Sequence, residues 1–446
     1  MRSLILATES SPAFAQVRNY WSRGLPWVGK GSLALLDQGL ISGSNFLIGI
    51  LLARWLAPEA YGAYALAFSI FLFLSSFHNA LLLEPMSVFG PASYSERLPA
   101  YVGKLLRLHF VLAFFLTGLV VAGIAVLHHF TADRALTSGL WGVCIATPLI
   151  LFFWLCRRAM YLQLAPGLAA RGASGYCLVL VFLLLLFKRL DWLSGLTAFL
   201  IQSLAATAAG ALLLVSLRPQ FDSQSGPSGS AIVRQHWRYG RWVVATGFVY
   251  WLSGNAYYVI VAAFLRMQDV GALRALQNFT LPFAQFLIAI SLLLLPWASA
   301  RFAQEGRVGL QRRMRQITLL FVAVASAYYA VLWFFGGRIM AILYAGRYTD
   351  FAYLLPLVAA PVVVVAVSQG SAIAVQAMQA PAEVFLAYSV SGTLTILAGV
   401  ALARYWGLEG ALIGILTSSI SFCIVITWRC RKRLGRVLSI EISENG

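Results

Sequence analysis

Residues 31–65 read GSLALLDQGLISGSNFLIGILLARWLAPEAYGAYA. The stretch begins with more than twenty mostly apolar residues, turns at Arg54-Trp-Leu-Ala-Pro58, and then starts a second apolar run. A helix needs about 20 apolar residues to cross the hydrocarbon core of a bilayer, which is about 30 Å thick. This stretch therefore predicts a transmembrane helix, a short turn and the start of a second transmembrane helix.

The same pattern continues to the end of the chain. Of the 446 residues, 60% are hydrophobic and 11% are charged, against about 45–50% and about 25% in a soluble domain. This excess excludes a soluble enzyme, a disulfide scaffold and a disordered chain. We predict an all-α polytopic membrane protein with about twelve transmembrane helices, at 31–53, 61–83, 105–127, 138–156, 169–187, 193–217, 242–265, 276–298, 317–336, 351–376, 383–403 and 408–428.

The distribution of basic residues predicts the orientation. With twelve spans, 24 of the 33 Lys and Arg residues fall on the side of the two termini and 9 on the other side. Because basic residues gather in cytoplasmic loops, both termini are predicted to be cytoplasmic. The same rule accounts for the net charge of +18, so nucleic acid is not expected as a partner.

The longest loop divides the chain. It contains the Ser/Gly/Pro-rich stretch Ser223–Ser230, which is typical of a flexible linker. The two lobes on either side have weak sequence similarity, since Ser42-Gly-Ser-Asn45 in the first resembles Ser253-Gly-Asn255 in the second. We therefore predict two six-helix bundles related by a pseudo-two-fold axis along the membrane normal, as in many alternating-access transporters. The predicted parts are an N-terminal segment (1–29), an N-lobe (30–217), a linker (218–241), a C-lobe (242–428) and a C-terminal tail (429–446).

The first span carries a polar stripe. Gln38, Ser42 and Asn45 lie at i, i+4 and i+7, so they share one helical face, and Asp37 widens it. Polar residues within a span are costly unless they face a cavity or a partner. The stripe predicts either a transport cavity lined with water and substrate or a hydrogen-bonded seam between helices.

The seventh span repeats this arrangement with aromatic residues. Tyr250, Ser253 and Tyr257 share a face, with Asn255 beside them. Aromatic faces next to amides suit sugar rings, because one surface stacks while the other donates hydrogen bonds. The alternative is an interfacial aromatic belt.

Three arginines near the ends of spans are candidates for binding a phosphate group. Arg107, Arg171 and Arg274 each present a planar fork that matches phosphate oxygens. The alternative is that each side chain extends to the lipid headgroups.

Two further side chains could bind a coupling ion. Asp37 could titrate inside the first span, and His78, in the second span, is either an interfacial histidine or a proton relay. The sequence contains no HExxH, GxSxG or P-loop motif, and its five cysteines are scattered. We therefore expect no catalytic residue, no cofactor and no metal, and the chain is not predicted to be an enzyme.

The first hairpin also carries a family resemblance. The run Leu51-Leu-Ala-Arg-Trp-Leu-Ala-Pro-Glu-Ala-Tyr-Gly62, with twelve spans and a central linker, resembles the polysaccharide exporters of the multidrug/oligosaccharidyl-lipid/polysaccharide (MOP) superfamily. The resemblance implies a bacterial inner-membrane flippase that moves a polyprenyl-pyrophosphate-linked oligosaccharide, such as an O-antigen or exopolysaccharide repeat unit, to the outer leaflet by alternating access. It also implies contacts with membrane lipids, and a polysaccharide polymerase and glycosyltransferases as partners.

Two other functions remain open. The first is an ion-coupled multidrug antiporter resembling the MATE proteins of the same superfamily, in which Asp37 would be the coupling carboxylate. The second is a polysaccharide polymerase or ligase. That class normally carries a large outer loop with catalytic residues, whereas the outer loops predicted here are short.

Overall fold

The structure is a computed structural model that describes residues 12–130, 133–221, 228–378 and 380–435. Residues 1–11 of the predicted N-terminal segment, residues 222–227 of the predicted linker and residues 436–446 of the predicted tail lie outside the described residues.

The described residues form a bundle of helices. The helices of the first half are α1 (Pro12–Trp55), α2 (Pro58–His78), α3 (Glu84–Ser93), α4 (Leu98–Phe130), α5 (Arg134–Leu162), α6 (Pro166–Arg189) and α7 (Gly195–Leu217). A π-helical segment, π1 (Asn79–Leu83), joins α2 to α3, and a 3-10 turn (Ser95–Arg97) precedes α4.

The second half of the described residues also contains seven helices. Its helices are α8 (Gly229–Gly254), α9 (Ala256–Phe264), α10 (Met267–Asn278), α11 (Leu281–Tyr344), α12 (Leu355–Ala377), α13 (Pro381–Leu394) and α14 (Val400–Gly435). A 3-10 turn (Thr349–Leu354) precedes α12, and a second π-helical segment, π2 (Thr395–Gly399), joins α13 to α14. We call residues 31–217 the N-half and residues 229–435 the C-half.

The predicted all-α membrane fold is confirmed. Nine helical segments among the described residues are long and apolar enough to cross a membrane, or ten if α8 and α9, which meet at an angle of 45°, form one span. Two long helices bend at glycines with positive φ, Gly306 in α11 and Gly407 in α14. The count of twelve spans stays a prediction.

The turn between α1 and α2 follows from the local sequence. Ala57 has an extended backbone, and Pro58 occupies the first turn of α2, where its missing N–H costs no hydrogen bond. The chain therefore reverses within two residues, and Leu52, Ala53 and Tyr61 are fully buried against their neighbours.

The two halves touch most closely at one end of the bundle, which we call the distal end. There α2 crosses α10, and a Cβ atom at Gly271 would lie 2.7 Å from the carbonyl oxygen of Pro58. A Cβ atom at Gly62 would overlap the carbonyl oxygen of Met267. The rings of Tyr61 and Tyr348 lie 6.3 Å apart beside this crossing. The distal end is therefore closed by direct backbone contact between the halves.

We call the opposite end of the bundle, where the described chain starts and ends, the terminal end. The halves are in contact there as well, through other elements. There the first half of α8 lies along π1 and α3. His236 Nδ1 lies 2.8 Å from the carbonyl oxygen of Leu81, and the Tyr94 hydroxyl donates to Gln235 at 2.6 Å. A Cβ atom at Gly240 would lie 2.5 Å from the carbonyl oxygen of Ala80. The start of the C-half therefore packs against π1 of the N-half, through hydrogen bonds and a close backbone approach.

Candidate functional site: polar clusters between the halves

The polar stripe of α1 meets a partner that the sequence analysis did not identify. Arg157, on α5, donates from Nε to both carboxylate oxygens of Asp37, at 2.7 and 2.9 Å, and from Nη2 to Gln38 at 3.0 Å. The hydroxyl of Tyr161, one turn further along α5, also donates to Asp37. Asp37 is fully buried, so this carboxylate is desolvated but surrounded by donors.

The stripe continues to the other half. Gln38 donates to the hydroxyl of Ser42 at 3.3 Å, and Ser42 donates to Gln285, on α11, at 2.9 Å. A hydrogen-bonded chain therefore runs from Arg157 through α1 to the C-half. Both Ser42 and Gln285 are half-buried. We call Asp37, Gln38, Ser42, Arg157, Tyr161 and Gln285 the α1 network.

The other candidates in α1 and the N-half are not part of this chain. Asn45 lies on α1, half-buried, one turn beyond Ser42. Arg107 is exposed on α4, where it donates to the carbonyl oxygen of Phe221. Arg171 is exposed on α6. Within the described residues, no hydrogen bond or salt bridge joins either arginine to the α1 network.

The seventh predicted span is divided between α8 and α9. Tyr250 is more than half exposed and meets Tyr388 edge to face at 5.2 Å. Ser253 donates to the carbonyl oxygen of Tyr250 in its own helix. The carbonyl of Asn255, at the bend between α8 and α9, accepts a hydrogen bond from Ser69 of the N-half at 3.2 Å.

Tyr257 lies inside the C-half. It is fully buried, and its hydroxyl lies 3.1 Å from that of Ser418, which in turn lies 2.9 Å from that of Thr395. Cβ atoms at Gly399 and Gly414 would each come within 3 Å of the Tyr257 side chain. Two glycines therefore form the slot that holds this ring.

This slot gives a test of stability. Replacing Tyr257 with phenylalanine should lower the free energy of unfolding by about 0.5–1 kcal/mol, because one buried hydrogen bond is lost while the ring still fills the slot. Denaturant unfolding of the purified protein measures this change. Tyr250→Phe, at an exposed ring, is the matched control and should leave the free energy of unfolding within the experimental error.

Arg274 forms a second cluster, closer to the distal end. Its guanidinium lies over the rings of Phe68, on the N-half, and Tyr258, at 5.3 and 5.9 Å, and Nη1 donates to the Tyr258 hydroxyl at 3.2 Å. Its Nε is buried and has no hydrogen-bond partner. Within the described residues, no carboxylate forms a salt bridge with Arg274. Among the described residues, the positive charge is stabilised by two aromatic faces and by the Tyr258 hydroxyl.

The polar atoms next to Arg274 are also incompletely bonded. Asn278 donates to the hydroxyls of Tyr61 and Tyr344, at 3.1 and 3.3 Å, but its Oδ1 has no donor. The hydroxyl of Tyr348 is buried without a partner as well. We call Tyr61, Tyr258, Arg274, Asn278, Tyr344 and Tyr348 the α10 cluster. It joins the halves beside the closed distal end.

The C-half also contains an apolar pocket. Its lining includes two polar side chains, Gln277 and Thr280, and is otherwise apolar, with Phe283, Leu357 and Ile415 among the apolar residues. Such a lining suits the hydrophobic part of an amphipathic molecule. Within the described residues, no group of three or more His, Cys, Asp or Glu side chains could hold a metal ion.

His78 lies at the end of α2, fully buried. Its Nε2 is 3.1 Å from Nδ1 of His109, on α4. The partner of His78 lies 31 residues away along the chain, so the sequence alone does not identify it.

Solved structures of known proteins share the fold of this chain. No family model matches the chain, and no curated protein is significantly similar in sequence. Among solved structures, the chain is similar to an inward-facing multidrug resistance MATE family transporter of the MOP superfamily, with a TM-score of 0.79 over 91% of this chain and 99% of that one, at 13% identity. The chain has the fold of the MATE transporters.

Two other structures extend the comparison. An outward-facing MATE transporter of the MOP superfamily gives a TM-score of 0.60, at 15% identity, over 92% of this chain and 96% of that one. A MOP superfamily transporter from Pyrococcus furiosus, described as having a binding pocket of reverse polarity that suggests a different function, gives 0.63, at 15% identity, over 91% of this chain and 95% of that one. The MOP fold expected from the sequence is thus found, whereas membership of the polysaccharide exporters stays a prediction.

Proposed function

We propose that this chain is an alternating-access transporter, with both termini in the cytoplasm, that moves an amphipathic substrate through the interface between its halves. The observation that carries the proposal is that the halves meet through two kinds of contact. Backbone atoms approach closely where α2 crosses α10 and where α8 lies on π1, while α1 and α11 are joined through the side-chain hydrogen bond between Ser42 and Gln285. Side-chain contacts of this kind can exchange without unfolding either half.

The comparisons favour a MATE-like antiporter as the function, because the similar solved structures are described as multidrug transporters. In that case the apolar pocket of the C-half would take the hydrophobic part of a drug. Asp37 is the carboxylate available for ion coupling in the α1 network, and its ion pair with Arg157 would have to open when an ion binds.

The α10 cluster favours the second candidate, the export of a polyprenyl-pyrophosphate-linked oligosaccharide. A cationic drug would gain nothing from Arg274, whose charge has no carboxylate partner among the described residues. A phosphate group would supply the missing acceptor for its buried Nε. The aromatic rings around it offer stacking surfaces to sugars.

Reconstitution into proteoliposomes separates the two candidates. One assay follows ethidium transport driven by an imposed pH gradient, and the other follows the movement of a fluorescent polyprenyl-pyrophosphate oligosaccharide between leaflets. Transport of ethidium alone would establish the antiporter, and movement of the lipid-linked sugar alone would establish the flippase. Activity in neither assay would contradict both cargo assignments.

Arg274 supplies the sharper version of this test. Arg274→Gln should slow the translocation of the lipid-linked oligosaccharide by about tenfold or more, because a charge-assisted hydrogen bond to phosphate contributes about 1.5–3 kcal/mol. Arg266→Gln is the matched control, since Arg266 immediately precedes α10 and its side chain is 78% exposed. Equal rates for the two variants would remove Arg274 from the substrate path.

A further inference from the structure

The buried pair His78 and His109 has a hydrogen-bonding pattern that fixes the position of every ring proton. His109 Nε2 lies 3.1 Å from the carbonyl oxygen of Pro148, on α5. A carbonyl oxygen only accepts, so Nε2 of His109 carries the proton, and its Nδ1 is an acceptor in the neutral ring. The Nε2 of His78, 3.1 Å from that Nδ1, must therefore donate.

This assignment leaves one basic atom free. Nδ1 of His78 holds an unshared electron pair, is buried, and has no hydrogen-bond partner. Both rings are fully buried. An unpaired acceptor at this depth is costly to a purely structural pair, whereas it is the atom that a proton-binding site requires.

We infer that His78 and His109 form a proton-binding site that couples protonation to the movement of the two halves. This inference rests on the alternating-access function proposed above. A proton bound at Nδ1 of His78 lets the Nε2 proton of His78 pass to Nδ1 of His109. The single positive charge then lies on His109, whose two N–H groups donate to His78 Nε2 and to the Pro148 carbonyl.

The position of the pair connects it to the contact between the halves. His78 is the last residue of α2, and π1 begins at the next residue. Within π1, the carbonyl oxygen of Leu81 accepts a hydrogen bond from His236 of α8, and that of Ala80 lies close against Gly240. Single π-helical turns within α-helices are often found at functional sites. A charge on the pair would therefore act on π1, the segment through which the N-half contacts α8 of the C-half.

Other titratable groups do not satisfy the pair. Among the described residues, His109 is the titratable side chain within hydrogen-bond distance of His78. Glu84 accepts from Tyr239, His236 bonds to Tyr101 and to Leu81, and Arg157 is bound to Asp37. The titratable side chains on the neighbouring parts of α3, α4, α5 and α8 include Glu84, Tyr101, Lys104, Arg107, Cys144, Cys156, Arg157, Arg158, Tyr161, His236 and Tyr239.

The sign of the coupling follows from burial. A charge at the pair is costly while both rings are closed off from water, so protonation should disfavour the arrangement described here. Low pH should therefore deplete this arrangement in favour of one in which α8 has moved away from π1 and water reaches His78. For a one-proton equilibrium the ratio of the two arrangements changes by at most about tenfold per pH unit.

The test measures the arrangement directly and needs no substrate. Spin labels are attached to cysteines introduced at Leu164 and Arg312, exposed positions in the N-half and the C-half near the terminal end, after the five native cysteines are replaced by alanine. Pulsed electron paramagnetic resonance then gives the distance distribution of the full chain in nanodiscs between pH 5 and pH 8. We expect two distance populations whose ratio depends on pH.

Variants of the pair decide the outcome. His78→Gln and His109→Gln should each remove the pH dependence, whereas His129→Gln, at an exposed histidine on α4, should keep it. Two populations with a pH-independent ratio, or a pH dependence retained in both pair variants, would overturn the proton site but not the transporter. A single population at every pH, unchanged by all variants, would instead count against alternating access. Unchanged elution in size-exclusion chromatography shows that the variants fold.

Discussion

Replacing Arg157 with leucine is expected to lower the free energy of unfolding by about 3–5 kcal/mol, because it leaves the carboxylate of Asp37 buried with its ion-pair partner removed. Asp37 is fully buried and the Arg157 side chain is 16% exposed, so water offers little screening to either group. Thermal and denaturant unfolding of the purified protein would measure the loss.

Arg158→Leu is the matched control for this change. Arg158 is the next residue of α5 and is exposed, whereas Arg157 points at Asp37. Its replacement should change the free energy of unfolding by less than about 1 kcal/mol. Similar losses in the two variants would contradict the ion pair as the source of the effect.

A double variant separates stability from function. The double variant Asp37→Leu with Arg157→Leu leaves no buried charge at this site. Its free energy of unfolding should therefore be close to that of the parent protein. The hydrogen bond from Arg157 to Gln38 is lost at the same time, and with it the support for the chain from Ser42 to Gln285. We therefore expect a stable protein whose transport is slower. A double variant as unstable as Arg157→Leu would show that packing, not charge, dominates at this site.

The α1 network shows which parts of the site could be predicted from the sequence. Helical spacing places Gln38 and Ser42 on one face of α1, and these two side chains are hydrogen-bonded to each other. Their partners Arg157 and Gln285 are separated from them by 119 and 243 residues. No local pattern encodes such distances, and in the sequence Arg157 resembles any basic residue at the end of a span.

Tyr257 is a residue whose orientation could not be predicted from helical spacing. Its spacing from Tyr250 and Ser253 predicts a shared face, but α8 ends at Gly254 and α9 starts at Ala256. The break turns Tyr257 into the slot between Gly399 and Gly414. Periodicity assumes one continuous helix, so it cannot predict where side chains point beyond a bend. The overall fold was predictable because it depends on length and hydropathy, which the bend does not alter.

Gly62 gives the second large prediction. Gly62→Ala should shift the protein out of the arrangement with a closed distal end, because the added Cβ would overlap the carbonyl oxygen of Met267 in the other half. The contact is with backbone, which cannot rotate away as a flexible side chain can. Because the clash is between halves, the packing within each half should be retained and the protein should still fold.

Distance measurements at the distal end would test this shift. Spin labels at Asp191 and Tyr405, exposed positions in the N-half and the C-half near that end, should report a longer separation in Gly62→Ala than in the parent protein. Gly118→Ala is the matched control, because a Cβ at Gly118 meets nothing within 4 Å. Transport should fall sharply in Gly62→Ala, since an alternating-access carrier must close each end in turn. An unchanged distal distance would mean that the backbone contact at Gly62 does not hold this end closed.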